Sequence, residues 1–371
     1  MKHVLLVSNT TRNIYHYRRT VWVELLNNGY RISVVAAEDD RASELRGEGI
    51  SCYDVPLLAD YGKSPLRLCR LYRQLSDLYL RLAPEVILHF TIQPNTVGSL
   101  AAARRKIPSA ATITGLGTTW LQSVATRWVT TRLYRWSLRS SDLVITQNGE
   151  DKRELEGRGV HPPAWRLVPG SGVNTEEFPG RTDTALPEQR TFLYLGRMLV
   201  DKGVAELFAA WQQAWQEGLR GQLWLVGERP AGHPRALSDE TWERGIKLPG
   251  ISHFPSTDEV PAYLFKSHFV VLPSYREGLS LTLLEALATE TPVLTTLVPG
   301  CWELVVGQHT GWAVPPRSAA ALAEALLAAH RMPYEEWRRM GQNGRRLIKA
   351  KYSASVVANA YLEVVEYLAR S

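Results

Sequence analysis

The stretch FVVLPSYREGLSLTLLEALATETPVL, residues 269–294, decides how the second half of the chain folds. It opens on an apolar run closed by Pro273 and Ser274, the pattern of a buried strand. A loop, YREGLS, follows. Ser280 suits a helix N-cap, and the leucine-rich segment behind it reads as a helix to about Thr289. PVLTT, 292–296, is the next strand. Strand, helix and strand make one parallel crossover unit. Two glutamates mark it: Glu277 in the loop, and Glu285 about one and a half turns inside the helix.

Working outward, TFLYLGR (191–197) and GQLWLVGE (221–228) read as strands with a helix over 202–217 between them. In the first half HVLLVSN (3–9), RISVVAA (31–37), VILHF (86–90), SAATIT (109–114) and DLVITQ (142–147) read likewise. Helices such as 17–28, 66–82 and 97–105 separate them. Continuous apolar strands alternating with helices require a parallel sheet covered on both faces. The pattern runs twice. The expected architecture is α/β, with two doubly wound Rossmann-like domains, 1–167 and 189–354, facing across a cleft. Residues 168–188, rich in Gly, Pro, Ser and Thr, read as the linker, and 355–371 as a terminal helix packing back.

The 371 residues exceed what one core usually holds. Apolar (45%) and charged (22%) fractions are those of a globular chain. No run of about 20 apolar residues is present. Three scattered cysteines, Cys52, Cys69 and Cys301, offer no zinc spacing and read as small buried residues in a reducing cytoplasm. The net charge of +6 is lopsided: residues 1–165 carry 22 Lys and Arg against 15 Asp and Glu. Such asymmetry suggests an anionic partner.

Three features address that partner. Gly278 permits close backbone approach, and the helix start at 279–283 offers open N–H groups to an anion. In LYLGRMLVDKGVAEL (193–207), Arg197 and Lys202 flank the loop after a strand, suitably placed for phosphate oxygens. Glu277 and Glu285 suit paired hydroxyls. The reading is a cradle for a sugar nucleotide. Taken singly, each of these glutamates and cations is more often a solvated surface charge.

Arg197, Lys202 and the E-x7-E pair resemble family 4 of the retaining glycosyltransferases, which have the GT-B fold. VPGSGVNTEEF (168–178), STDEVPAYL (256–264), TPVLTTLVPGCWELV (291–305) and TGWAVPP (310–316) match the same pattern. HFTIQPNTVGSLAA (89–102) and TITGLG (112–117) resemble its CapM-like capsule, O-antigen and exopolysaccharide branch. The resemblance implies retaining transfer of a sugar from a nucleotide donor, without a metal cofactor. Arg197 and Lys202 would neutralise the diphosphate, and Glu277 would hold donor-sugar hydroxyls. Glu285 would take the ribose, the backbone of Gly278, Leu279, Ser280 and Leu281 phosphate and sugar, and Ser256 and Thr257 the base. Many members carry a histidine where this chain has Thr114, Gly115, Leu116 and Gly117; the branch often has charged residues at Gln93, Leu297 and Trp302. Acceptor-side candidates are Thr114, Gly115, Gln93, Asn95, His16 and Arg12.

The segment 118–141 carries Trp120, Trp128 and Trp136 with Arg127, Arg132, Arg135 and Arg139. Its last three arginines fall at helical spacings. A basic helix with tryptophans reads as a contact with an anionic membrane, or as a crossover helix with core tryptophans. The expected donor is a UDP-hexose or UDP-N-acetylhexosamine. The expected acceptor is a polyprenyl-diphosphate-linked saccharide, and the expected location the cytoplasmic face of the membrane. A Rossmann dehydrogenase is excluded because SNTTRN, not G-x-G-x-x-G, follows the first strand. No nucleic-acid motif is present. A non-catalytic sugar-nucleotide sensor or scaffold is the remaining alternative.

Overall fold

A computed structural model of the chain describes residues 2–60, 64–117, 124–181, 189–230, 232–233, 235–307 and 309–370. It divides into two compact units, Met1–Gly172 with Ala354–Ser371, and Val173–Ser353. Each is a doubly wound parallel sheet, as the apolar runs require.

The first unit holds β1 (His3–Thr10), β2 (Arg31–Ala37), β3 (Ser51–Asp54), β4 (Val86–Phe90), β5 (Ser109–Ile113), β6 (Leu143–Thr146) and β7 (Trp165–Leu167). Their order is β3-β2-β1-β4-β5-β6-β7. Side chains alternate across a strand, so one sheet supplies two cores. Leu6 and Leu88 pack with Trp22, Tyr361 and Val365 on one face. Leu5 and Ile87 pack with Leu71, Leu75 and Ala101 on the other. The C-terminal helix Ala354–Leu368 lies against the helix Arg19–Asn27.

The second unit repeats the plan with β8 (Thr191–Leu195), β9 (Gln222–Val226), β10 (Ile251–Phe254), β11 (Phe269–Leu272), β12 (Val293–Thr296) and β13 (Gly311–Val314), ordered β10-β9-β8-β11-β12-β13. Phe192 stacks on Phe269 at 5.5 Å and meets Trp211 edge-on at 5.7 Å in its centre. Strand order reverses between β8 and β11, which is where open α/β sheets collect ligands. The loops leaving these two strands are therefore neighbours.

Several expectations change. The helix expected over 17–28 is two helices, Thr11–Tyr17 and Arg19–Asn27. Thr10 caps the first, its hydroxyl accepting the Asn13 N–H at 3.2 Å, so most of residues 10–16, between the expected strand and helix, is helical. The break falls at Arg18, only 3% exposed, whose guanidinium lies over the Phe90 ring and donates to Ser171. Of the stretch 168–188, residues from Val173 belong to the second unit, and Arg345 donates to the Thr175 and Phe178 carbonyls there. Residues 182–188 lie outside the described residues. Cys69 is exposed rather than buried. Among the described residues no helix is long and apolar enough to cross a membrane.

Candidate functional site

β11 stops before Pro273, which has no N–H to continue a ladder. The loop 273–280 is then fixed at four points. The Tyr275 N–H donates to the Asp201 carbonyl at 2.9 Å, and its hydroxyl to Glu206 Oε1 at 2.6 Å. The N–H groups of Glu277 and Ser280 donate to the carbonyls of Pro299 (3.2 Å) and Gly300 (3.0 Å). Ser280 caps the helix Leu281–Ala288, its Oγ accepting the Leu283 N–H at 3.4 Å.

The loop after β8 runs against this one. Gly203 has φ +72, and a Cβ there would stand 2.1 Å from the Pro273 carbonyl oxygen. Only glycine allows that approach. It delivers Lys202, whose Nζ lies 2.5 Å from Glu277 Oε1. Ser274 Oγ donates to the same oxygen at 2.7 Å. The Lys202 and Glu277 side chains are 24% and 15% exposed, so water screens the pair poorly. Burial works against the ammonium, but the Coulombic pull and hydrogen bond of Glu277, with Cys301 and Asp201, outweigh it and hold the Lys202 pKa above its ordinary value. Burial, then the Glu277 charge, pushes the Cys301 thiol up. Arg197 is exposed, and among the described residues its guanidinium has no hydrogen-bond or ion-pair partner. Its carbonyl is held by the Tyr194 hydroxyl at 2.8 Å.

Glu285, half-buried on the helix behind the loop, behaves differently. Burial, reinforced by the Glu177 charge, pushes its carboxyl up to about 8. It therefore holds its proton to higher pH than an ordinary glutamate. Ser256 is exposed and donates to Glu228 Oε1 at 3.0 Å, while the Thr257 hydroxyl accepts the Glu259 N–H at 3.0 Å.

The acceptor-side candidates all belong to the first unit. Thr114 and Gly115 follow β5 half-buried. Gln93 is buried and donates to the Asp60 carbonyl at 2.8 Å. Asn95 is a strut: its Nδ2 donates to the Thr112 carbonyl at 2.7 Å and its Oδ1 accepts the Thr112 N–H at 3.1 Å. Holding that strand end occupies its amide at both ends. Arg12 is exposed and paired with Asp40 at 2.7 Å. His16 is exposed, edge-on to Tyr15. In the helix Val124–Ser137, Trp128 and Trp136 are 60% and 64% exposed, which rules out the core reading for both. Trp120 lies outside the described residues.

The structure thus joins Lys202 to Glu277 beside a capped helix start, with an unpaired cation five residues upstream. Two cations, a carboxylate and first-turn N–H groups can receive a ligand bearing both anionic oxygens and hydroxyls. Ser274, the third member at Glu277 Oε1, was not anticipated. Among the described residues no group of His, Cys, Asp and Glu could hold a metal ion.

Comparison with known proteins fits this geometry. Residues 15–170 match the family described as "Glycosyl transferase 4-like domain", and 189–331 "Glycosyl transferases group 1". An N,N'-diacetylbacillosaminyl-diphospho-undecaprenol alpha-1,3-N-acetylgalactosaminyltransferase of Campylobacter jejuni is 22% identical over 97% of both chains. A putative colanic acid biosynthesis glycosyltransferase of Escherichia coli, WcaL, is 26% identical over 63% of this chain and 59% of its own length. Among solved structures, sucrose-phosphate synthase from Thermosynechococcus elongatus superposes with a TM-score of 0.82 at 20% identity, covering 99% of both chains. Anabaena HepE in complex with UDP-glucose does so at 0.80 and 13% identity, covering 99% of this chain and 100% of its own.

Proposed function

We propose a donor, an acceptor and a stereochemical course for this chain, which belongs to the group 1 glycosyltransferases and has the GT-B fold. It transfers a hexose or N-acetylhexosamine from a UDP-sugar, with retention at the anomeric carbon, to a lipid-linked saccharide in surface polysaccharide assembly. The bond from C1 to the diphosphate breaks, its electron pair leaves with the diphosphate, and an acceptor hydroxyl bonds to C1 and gives its proton to an oxygen of the departing diphosphate.

The observation that carries this reading is Lys202 on Glu277 at the end of β11. Lys202 and Arg197 offset the charge growing on the departing diphosphate, where fixed cations act most strongly. Glu277 accepts donor-sugar hydroxyls and Glu285 the ribose. The backbone of residues 278–281 meets phosphate and sugar, except that the Ser280 N–H is already committed to Gly300. Ser256 and Thr257 face the base, and Thr114, Gly115, Gln93, His16 and Arg12 are the acceptor-side group. The two cations and the helix start supply the leaving-group stabilisation, so the reading assigns no metal. The C. jejuni relative is named for a diphospho-undecaprenol-linked substrate, and HepE was solved with UDP-glucose; both favour this donor and acceptor class.

Screening nucleotide sugars for thermal stabilisation identifies the donor, since a ligand of the folded state raises Tm. Glu277→Ala should then lower kcat/KM for transfer at least about 100-fold in protein that still folds, with a lower Tm because Lys202 and Ser274 lose their partner; wild-type turnover would remove its role.

The same reading places the enzyme peripherally on the cytoplasmic membrane face. Trp128, Val129 and Trp136 are exposed, and Arg132, Arg135 and Arg139 are exposed on the same segment. Apolar rings and cations together suit an anionic lipid surface. Trp128→Ala with Trp136→Ala should reduce co-sedimentation with vesicles containing anionic lipid and leave transfer to a soluble acceptor intact.

A further inference from the structure

Glu277 Oε1 receives two donors from different places. Lys202 reaches it from the loop after β8, and Ser274 from the start of the loop after β11. Neither contact uses Oε2. The two donors are not equivalent. Lys202 is a point charge on a long, rotatable stem, and the diphosphate of an incoming donor competes with Glu277 for it. Ser274 is completely buried. Its carbonyl accepts the Thr296 hydroxyl from β12, and the preceding Pro273 carbonyl is pressed against Gly203. It cannot follow the lysine.

We propose that Ser274 is the positioning residue of this site: when the diphosphate draws Lys202 away, the Ser274 hydroxyl alone keeps Glu277 Oε1 in place, so that Oε2 stays aimed at the donor sugar. The inference rests on the assignment of Glu277 to the sugar. It adds that recognition of phosphate and of sugar are separable, because different donors secure Lys202 and Glu277 once the ligand is bound. Without Ser274, releasing Lys202 leaves the carboxylate free to turn, and the contribution of the sugar to binding is lost while that of the nucleotide remains.

The test is calorimetric titration of the wild type, Ser274→Ala, Glu277→Ala and the double variant with UDP, UDP-glucose and UDP-N-acetylglucosamine. For the wild type, the better-bound UDP-sugar should bind more tightly than UDP. Ser274→Ala should reduce that preference 3- to 10-fold with UDP affinity unchanged within twofold. In the Glu277→Ala background the serine change should have no further effect, because a residue acting only through another contributes nothing once that other is gone. An unchanged sugar preference in Ser274→Ala, a parallel loss of UDP affinity, or an undiminished effect in the Glu277→Ala background each overturns the proposal. If Ser274→Ala does not fold, Ser274→Cys, a weaker donor of similar size, serves instead and must show a smaller loss in the same direction. A wild type that binds UDP but no sugar more tightly overturns the positioning role alone; one that binds neither overturns the functional reading and this one with it.

Discussion

Glu285 is the residue whose chemistry departs furthest from its sequence appearance. Its folded-state pKa of about 8 lies above the ordinary carboxyl value of 4.5. Between those values the folded chain keeps a proton that the unfolded chain has shed. Stability therefore falls as pH rises through this window and levels off above it. Glu285→Gln, which stays neutral, should flatten that limb. Its Tm should exceed that of the wild type at pH 8.5, by a difference worth up to a few kcal/mol, and match it near pH 4.5; parallel melting profiles from pH 4.5 to 9 would contradict the proton-holding carboxyl. That Lys202 and Glu277 could meet was legible because charge at a strand end, beside a helix start, is itself a signal. Ser274 was not, since an uncharged residue announces nothing until its contact is seen. Asn95 reads from sequence as an acceptor-side candidate because its partner, the Thr112 backbone, is 17 positions away and adjacent only through strand pairing.

At the scale of elements, the nine expected strands are the inner strands of both sheets. The four unforeseen ones, β3, β7, β10 and β13, are the four sheet edges. An inner strand is buried on both faces and reads as an unbroken apolar run. SCYD, WRL and ISHF are partly exposed and short, and carry no such pattern. GWAV is apolar enough, but its leading glycine is there because a Cβ would strike the Val293 carbonyl, a contact made only in the sheet. Junctions between elements are equally hidden, and Gly203 is the one on which the site depends. Gly203→Ala forces a side chain into the left-handed region and into the Pro273 carbonyl. It should cost about 3 kcal/mol or more in urea unfolding. Gly29→Ala has nearly the same φ, +77, with nothing within 4 Å. It should cost only about 1 kcal/mol, and the difference between the two measures the inter-loop contact. Equal losses would mean that β11 and the Lys202 loop are not locked together.

Across the whole molecule, each unit buries a histidine that the folded chain keeps neutral. In the first, His89 lies on β4 with its Nε2 3.0 Å from the Tyr79 hydroxyl, and burial lowers its pKa to about 3. In the second, His268 Nδ1 accepts the Thr191 N–H at 3.0 Å; burial first, then Arg190 and Arg181, lower it to about 3 as well. Both folded values lie below the ordinary 6.5, so the unfolded chain takes up protons that the folded chain refuses. Their stabilising share is complete above pH 6.5 and is lost as pH falls from there toward 3. His3 and His330, also lowered, act in the same direction. Each unit therefore carries its own acid liability. Replacements that keep each hydrogen bond without titrating isolate the effect: Gln at 89 places its amide near Nε2, and Asn at 268 places Oδ1 near Nδ1. His89→Gln with His268→Asn should be less stable than the wild type at pH 7.5 by about 1–2 kcal/mol, from lost packing. It should then lose much less stability between pH 6.5 and 4, so the two curves converge or cross on the acid side. Curves that stay parallel to pH 4 would assign acid unfolding to the carboxylates instead.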